Sequence, residues 1–504
     1  PGAEAQVWLR RPDPELATRY LTATREYLEL YSGLIGPYPY AKFALVENFW
    51  ETGYGMPSFT LLGPQVIRLP FILTSSYPHE VLHNWWGNGV YVDYESGNWS
   101  EGLTAYLSDH LMKEREGQGA EYRRDALKSY ADYVRGAADS PLTAFRARHG
   151  TASQAIGYGK SAMVFHMLRR RLGDALFLQG LGRFYEENRF RTAAWDDLRQ
   201  AFEAVSGQDL GPFFVAWTTR EGAPRLVLAE VRAEPHGDGF RVTGRLEQNQ
   251  PQPPLPLRVP LLIHQEQGPT VELAVDLDGR SADFALNLPS EPVRLAVDPA
   301  FDTFRALAPG ESPAALSNLF GSEGGLIVLP AQAPAEMLQG YRGLAEAWAK
   351  GHPGWRIATD SELGALPRSG AVWVLGWENR LAAEIARDAR GFNLALEAGE
   401  LRLRGQTLKR DAASLVLTRL IDGRPWGWVA ASEPAALPGL ARKLPHYGKY
   451  GYLAFAGNEP QNILKGQWPP GDSALVHWFG PARPDLDSPA QPPLARPHAL
   501  EVES

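Results

Sequence analysis

The spacing of apolar residues changes twice along this chain of 504 residues, and each change predicts a different kind of structure. Between Pro14 and about Gly222 apolar residues recur at helical spacing. Between about Ala223 and Leu307 they alternate with polar residues, as in strands buried on one face. From about residue 311 to 480 short apolar runs alternate with helical stretches, which is typical of an α/β domain. We therefore expect several domains, because one core rarely serves a chain of this length.

These periods predict a multi-domain α+β chain. Residues 1–222 form a mostly helical domain, residues 223–307 an antiparallel β-sandwich, and residues 308–480 an α/β domain of unknown role. Residues 481–504, rich in Pro, Ala and Asp, are expected to be a flexible tail. Glycines 53 and 55 with Pro57 indicate an edge strand or loop within residues 43–60. The predicted sandwich strands are Arg225–Val231, Phe240–Leu246, Leu257–His264, Val271–Leu277 and Ala282–Leu288.

Composition excludes several classes of partner and site. The formal net charge of −8 offers no concentrated positive surface, so we exclude a nucleic-acid partner. The absence of cysteine leaves His, Asp and Glu as metal ligands. No apolar run is long enough for a membrane span, and the oligomeric state cannot be read from the sequence. Because the chain starts at Pro1 without a signal-peptide pattern, we expect the targeting segment to be absent from it and the location to be bacterial periplasmic or exported.

The segment His79-Glu80-Val81-Leu82-His83 fits the pattern H-E-x-x-H. On a helix, imidazoles four positions apart project from one face and can bind a single Zn²⁺ ion. Glu80 would then lie beside the ion and act as general base, taking a proton from the attacking water and passing it to the leaving amine. A catalytic zinc has three protein ligands and keeps the fourth position for water, so a third ligand is required.

Glu101 is the candidate for that third ligand. It lies at the start of a second helical run, Asn98–Tyr106, and a helix-loop-helix of this length can fold back so that its first turn faces the histidine pair. The alternative is that Glu101 caps its helix, the commoner role of a carboxylate at a helix start. His110 and His166 lie on helical runs and are interpreted as surface or core residues rather than ligands.

Four motifs occur in order: His79–Asn88, Trp99–Gly102, Ile156–Ser161, and Trp217-Thr218 with Gly222-Ala223-Pro224. Together they resemble the membrane alanyl aminopeptidase family of zinc metallopeptidases, a gluzincin family to which leukotriene hydrolases also belong, over roughly residues 20–225. The resemblance implies a thermolysin-like catalytic domain over residues 1–222 and one zinc ion on His79, His83 and Glu101. It also implies Glu80 as base and Tyr158 as the hydroxyl that donates to the tetrahedral oxyanion.

The chain departs from this family at two places. One residue fewer than usual separates the second His from the ligand Glu, a spacing compatible with a shortened loop; the ligand assignment holds if the deletion lies among Glu95–Gly97. The family strand G-x-M-E-N, whose Glu binds the amino terminus of the substrate, corresponds here to Tyr54-Gly55-Met56-Pro57-Ser58. Proline has neither a carboxylate nor an N–H, so Pro57 cannot anchor an amine. Gly55 and Met56 are still expected to bind substrate backbone by strand addition.

We therefore interpret the chain as an aminopeptidase-like zinc metallopeptidase that acts on peptide or protein substrates. The first alternative is an endopeptidase or an unusual amino-terminal specificity, because the amine anchor is replaced. Glu47 and Glu51 lie upstream and would supply a substitute charge if the loop folds back. The second alternative is a catalytically idle, zinc-bound peptide-binding or scaffold protein. The intact Glu80 and Tyr158 count against it, since an idle site has no need of a base.

Overall fold

The structure, a computed structural model, describes residues 2–51, 53–134, 136–350, 353–363, 369–385, 395–397, 399–403, 405–483, 486 and 491–494. The chain forms two compact units: the first comprises residues 1–308 and 474–504, and the second residues 309–473. Among the described residues, no helix combines the length and the apolar character of a membrane span.

The helices lie mostly in the first unit, as the helical spacing of residues 14–222 predicts. Two π-helical turns, Tyr106–His110 and Ala155–Lys160, interrupt its longer helical runs. The α-helices are α1 Pro14–Leu34, α2 Ser76–Leu82, α3 Trp99–Ala105, α4 Leu111–Arg115, α5 Gly119–Tyr133, α6 Thr151–Gln154, α7 Ser161–Leu172, α8 Asp174–Asn188, α9 Trp195–Ser206, α10 Gly211–Thr219, α11 Leu316–Phe320, α12 Ala335–Ala349, α13 Ala382–Ile385 and α14 Leu437–Lys443.

The strands form several separate sheets, and the five strands predicted between residues 225 and 288 correspond to β7 to β11 as observed. The strands are β1 Glu4–Trp8, β2 Lys42–Glu47, β3 Gly53–Met56, β4 Phe59–Leu62, β5 Tyr91–Val92, β6 Thr192–Ala193, β7 Leu226–His236, β8 Gly239–Gln248, β9 Leu257–Gln265, β10 Val271–Leu277, β11 Ser281–Leu288, β12 Pro292–Val297, β13 Gly324–Leu329, β14 Gly354–Thr359, β15 Ala371–Leu375, β16 Ala395–Glu397, β17 Glu400–Leu403, β18 Gln406–Lys409, β19 Ser414–Ile421, β20 Arg424–Ala430, β21 Tyr452–Ala456, β22 Gln461–Gly466 and β23 Val476–Trp478.

A small sheet of order β1-β2-β4-β3 opens the first unit, and β3 is its edge strand. The prediction of an edge strand around glycines 53 and 55 is therefore confirmed. Helix α1 buries a row of tyrosines toward α2, where Tyr20 and Tyr77 meet edge to face with ring centroids 4.9 Å apart. Tyr31 packs in the same way on Trp85 at 5.8 Å. This aromatic packing fixes α2 against α1, because such rings bury large apolar areas with a preferred mutual geometry.

Two antiparallel sheets follow the helices, with strand orders β11-β8-β7 and β10-β9-β12-β23. Their inward residues belong to one buried cluster that also contains the helical core, so residues 2–308 share a single core. The assignment of residues 474–480 to the α/β domain is wrong, because β23 pairs antiparallel with β12. A strand of three residues is too short for its apolar period to be seen in the sequence.

The prediction of a flexible tail over residues 481–504 is wrong at its described positions. Arg483 Nη2 lies 2.7 Å from Glu266 Oε2, and the carbonyl of Leu486 accepts from Arg294 at 2.7 Å. Residues 491–494 also contact the first unit, since the side chain of Leu494 packs on its core. Composition misled here because proline-rich segments can be held by polar contacts without regular structure. The other residues of this range lie outside the described part of the chain.

The second unit is built on a mixed sheet of order β14-β13-β15-β20-β19-β21-β22. The first four strands in this order are parallel, and the remaining pairs are antiparallel. One face packs on α11, α12 and α14, and the other face packs on α13 and the small sheet β16-β17-β18. The central strands are apolar on both sides for this reason, as expected for a sheet covered on both faces.

We predict that the second unit can be excised. Its two ends meet, because the N–H of Gly471 donates to the carbonyl of Gly310 at 2.8 Å, and its buried clusters are separate from that of the first unit. Joining Ala308 to Ala474 through a short Gly-Ser linker should leave the first unit folded, with a cooperative thermal transition by circular dichroism. As a control, deleting residues 226–288 removes core strands and should abolish folding; an unfolded excised chain would contradict the prediction.

Candidate active site

Helix α2 presents its polar face at the site and its apolar face to the core. Tyr77, Val81 and Leu82 are fully buried, so the opposite face carries His79, Glu80 and His83. His83 is the residue that ends the helix, and its N–H still donates to the carbonyl of His79 at 3.2 Å. The two imidazoles therefore remain one helical turn apart, with ring centroids separated by 4.8 Å.

Glu101 lies in the first turn of α3 without capping it. Asn98 is the N-cap, and its side chain accepts from the N–H of Ser100 at 3.2 Å. The carboxylate of Glu101 is therefore free to face the imidazoles of α2. The helix can come this close because its next residue is Gly102: a Cβ there would lie 1.8 Å from Ser161 Oγ, a distance that no side chain tolerates.

The geometry of the three predicted ligands suits a single cation. Glu101 Oε2 lies 3.5 Å from His79 Nε2 and 3.5 Å from His83 Nε2. Their ligand atoms all lie within 4.8 Å of one another. Zinc bonds of about 2.0–2.2 Å in a tetrahedron place neighbouring ligand atoms about 3.4 Å apart, close to the separations found here. The sequence-predicted triad is thus brought together.

The electrostatics of this cluster favour a cation as well. Glu101 Oε2 is buried and has no hydrogen-bond partner among the described residues, a costly state for a carboxylate oxygen unless an ion compensates it. Burial opposes the ionisation of Glu101, but the two imidazoles hold its pKa well below the ordinary value. Burial also opposes the charging of His79, yet the carboxylates of Asp109, Glu101 and Glu80 raise its pKa well above the usual range. This negative field attracts a divalent ion.

Two further groups orient the imidazoles, and sequence reasoning missed both. His79 Nδ1 lies 3.3 Å from Asp109 Oδ2, and His83 Nδ1 lies 3.0 Å from the carbonyl of Trp86. Such partners fix which ring nitrogen faces the ion. In an uninterrupted helix position 108 would share the face of Glu101, but the π-helical turn 106–110 adds a residue and brings Asp109 there. The sequence signal that could have identified Asp109 is a carboxylate eight positions after the predicted ligand Glu101.

Tyr158 lies at the same site, on the π-helical turn 155–160. Its ring stacks on that of His79 with centroids 6.2 Å apart. Burial and the carboxylate of Glu101 raise the pKa of Tyr158 above its ordinary value, so its hydroxyl stays protonated and able to donate. Gly157 lets the turn approach Phe145, since a Cβ at that position would lie 2.1 Å from the ring.

Lys160, at the end of this turn, is buried rather than exposed. Its ammonium donates to the carbonyl of Arg220 at 2.8 Å and lies 5.9 Å and 5.7 Å from the ring centroids of Tyr130 and Phe304. Burial lowers the pKa of Lys160 to about 8. The lysine therefore fastens the turn that carries Tyr158 to the chain segment that follows α10.

Strand β3 runs directly past Glu80, the predicted base. A Cβ at Gly55 would lie 2.8 Å from Glu80 Oε2 and 3.2 Å from His83 Cβ, so a side chain here would displace the carboxylate of Glu80. Met56 ends the strand, and Pro57 and Ser58 form the turn into β4. Ser58 has a φ of 68°, which with the preceding proline is typical of a type II turn.

Neither carboxylate proposed to replace the amine anchor is available for that role. Glu47 Oε1 lies 2.6 Å from Arg68 Nη1, and its Oε2 accepts from the N–H of Arg10 at 2.9 Å. The carboxylate of Glu51 accepts from the N–H groups of Gln65 and Val66 at 3.0 Å and 3.3 Å. Both carboxylates are therefore held by ion-pair or hydrogen-bond contacts with the segment between β4 and α2.

An H-E-x-x-H pair joined by a glutamate from the following helix is the arrangement of the gluzincin class of metallopeptidase domains. Residues 74–217 match the model of the peptidase family M1 domain.

Similar proteins include aminopeptidase 2, mitochondrial, of Saccharomyces cerevisiae, 26% identical over 30% of this chain, and aminopeptidase N of Lactococcus lactis, 27% identical over 30% of it. The matches cover 17% and 19% of those proteins, so this chain spans less than a fifth of either. A solved structure of Legionella pneumophila aminopeptidase A with aspartic acid matches with a TM-score of 0.47 and 17% identity, over 59% of this chain and 35% of that one.

We predict that Asp109→Asn weakens zinc binding on the order of 10- to 100-fold, because the partner that orients His79 loses its charge. Competition with a chromogenic chelator measures the affinity directly. Asp283→Asn removes the same charge from an exposed strand position and should leave the affinity unchanged. Equal affinities in the two variants would show that Asp109 does not orient the ligand.

Proposed function

We propose that the chain is a zinc-dependent metallopeptidase that hydrolyses peptide bonds, with an aminopeptidase-like site. The observation that carries this proposal is the buried Oε2 of Glu101, 3.5 Å from the Nε2 atom of both His79 and His83 and without a hydrogen bond. The match of residues 74–217 to the peptidase family M1 model supports the reaction class. The names of the relatives support aminopeptidase activity as the default.

The residues of the site divide the chemistry among them. His79, His83 and Glu101 would hold the ion, which when bound supplies Lewis acidity that lowers the pKa of a water and polarises a carbonyl. Glu80 takes a proton from the attacking water and delivers it to the leaving nitrogen. The protonated hydroxyl of Tyr158 donates to the oxygen on which negative charge develops. The backbone of β3 at Gly55 and Met56 aligns the substrate as an added strand.

A second specificity is favoured by the turn that follows β3. Pro57 carries no charge and no N–H, and the carboxylates of Glu47 and Glu51 are already bonded. A substrate ammonium at this end of the strand would lose water without gaining an ion pair, which is unfavourable. Substrates that continue past this point as an ordinary peptide have no such cost. We therefore keep an endopeptidase, or an unusual amino-terminal specificity, as the second candidate.

We predict that two substrate classes separate these candidates. Aminoacyl anilides have a free amino terminus, whereas internally quenched peptides acetylated at the amino terminus do not. The protein is stripped with a chelator and reloaded with zinc. An aminopeptidase should then cleave the anilides alone, whereas an endopeptidase should cleave the acetylated peptides. Cleavage of neither class by zinc-loaded protein would support the idle scaffold and overturn the proposal.

We predict that Glu80→Gln keeps zinc but loses turnover by about 10²- to 10⁴-fold, because the amide cannot accept the proton. Zinc content is measured by atomic emission, and turnover on whichever substrate the native chain cleaves. Glu187→Gln, on the exposed face of α8, is the matched control and should behave as the native chain does. A Glu80→Gln variant with native turnover would remove Glu80 from the role of base.

A further inference from the structure

The segment 491–494 lies against buried charged groups of the first unit. The Gln491 side chain bridges two of them: its Oε1 accepts from Arg123 Nη2 at 2.8 Å, and its Nε2 donates to Asp302 Oδ2 at 2.7 Å. The relative exposure of Arg123 and Asp302 is 1% and 4%. Buried charges need partners that complete their hydrogen bonds, and this glutamine is such a partner for both groups.

The other end of the segment holds a second buried pair. The N–H of Leu494 donates to Glu114 Oε2 at 2.8 Å, and the same carboxylate accepts from Arg169 Nη1. The side chain of Leu494 packs on the hydrophobic core. The segment thus joins α4, α5 and α7, together with the loop that follows β12, through side chains that are otherwise far apart in sequence.

These charged groups fasten both ends of the π-helical turn 106–110. At one end Arg169 Nη1 donates to the hydroxyl of Tyr106 at 3.3 Å. At the other end Arg123 Nη1 lies 2.8 Å from His110 Nε2. Between these two anchors lies Asp109, the residue that faces His79 Nδ1. A π-helical turn is an uncommon conformation that depends on its surroundings, so loosening either anchor frees Asp109 to move.

We propose that residues 491–494 are positioning residues of the metal site. They complete the buried network that holds the turn 106–110, and through this turn they keep Asp109 against His79. The inference rests on the proposed function, since it requires that His79 binds a metal ion. The inference is that this proline-rich segment affects metal affinity, although it lies more than three hundred residues after Asp109 in the sequence.

The test compares two truncated forms of the chain. A chain ending at residue 490 lacks the segment, whereas a chain ending at residue 494 keeps it and lacks only residues 495–504. Zinc affinity is measured by competition with a chromogenic chelator. We expect the chain ending at 490 to bind zinc on the order of 10-fold more weakly, with turnover largely recovered at saturating zinc, because second partners of a ligand act mainly on affinity. The chain ending at 494 should match the full chain.

Gln491→Ala in the full chain covers the case in which the shorter truncation does not fold. It removes only the two side-chain hydrogen bonds, and a several-fold loss of zinc affinity is expected. An exposed control, Gln200→Ala on α9, should have native affinity. A purely structural role would instead lower the melting temperature of the metal-free protein with no change in zinc affinity, and that result in Gln491→Ala would overturn the inference.

The proposed function can fail separately. If the full chain binds no zinc, or if His79→Ala binds it as well as the native chain does, the metal site itself is wrong. If the full chain binds zinc through His79 and both Gln491→Ala and the chain ending at 490 bind it equally well, only the role of residues 491–494 is wrong.

Discussion

A carboxylate whose Oε2 is buried between two imidazoles is the constraint on which the site of the first unit depends. Shielding this oxygen from water is unfavourable unless a positive charge compensates it. The surrounding structure nevertheless forces this position: Asn98 takes over the cap, and Gly102 allows α3 to touch Ser161. The loop before α3 is equally confined, since a Cβ at Gly97 would lie 2.5 Å from the carbonyl of Leu142. A cation that bound these three side chains would therefore couple its binding to the folding of this region.

Both π-helical turns of the described chain carry a residue of the site. The first places Asp109 beside His79, and the second places Tyr158 against the ring of the same histidine. A buried cation contacts each turn, Arg123 at His110 of the first and Lys160 at the end of the second. A π-helical turn has a poorer intrinsic stability than an α-helix, so it persists where surrounding contacts define it. Contacts made outside the site thus determine, through the two turns, where Asp109 and Tyr158 lie.

The sequence predicted the features that depend on local spacing. His79 and His83 lie four positions apart on a helix, and strands of alternating pattern were found at β7 to β11. It could not predict the features that depend on a register shift or on distant contacts. Asp109 was missed because an inserted residue changes which position faces the ligands. The return of the chain to the first unit through β23 was missed because a strand of three residues is too short to show a period. The contacts of residues 491–494 were missed because a glutamine side chain and a backbone N–H make them, and neither has a sequence signature.

The turn after β3 is held in an uncommon conformation by contacts with its surroundings. Ser58 has a positive φ, which costs a non-glycine residue on the order of 1 kcal/mol or more. Its N–H donates to Asn84 Oδ1 at 2.7 Å, and its carbonyl accepts from Lys42 Nζ at 3.0 Å. Asn84 follows His83 directly, so the turn is fastened to the helix that carries the ligands. Pro57 fixes the first φ of this turn and carries no carboxylate, so one residue accounts both for the rigid end of β3 and for the absence of a charge at that position.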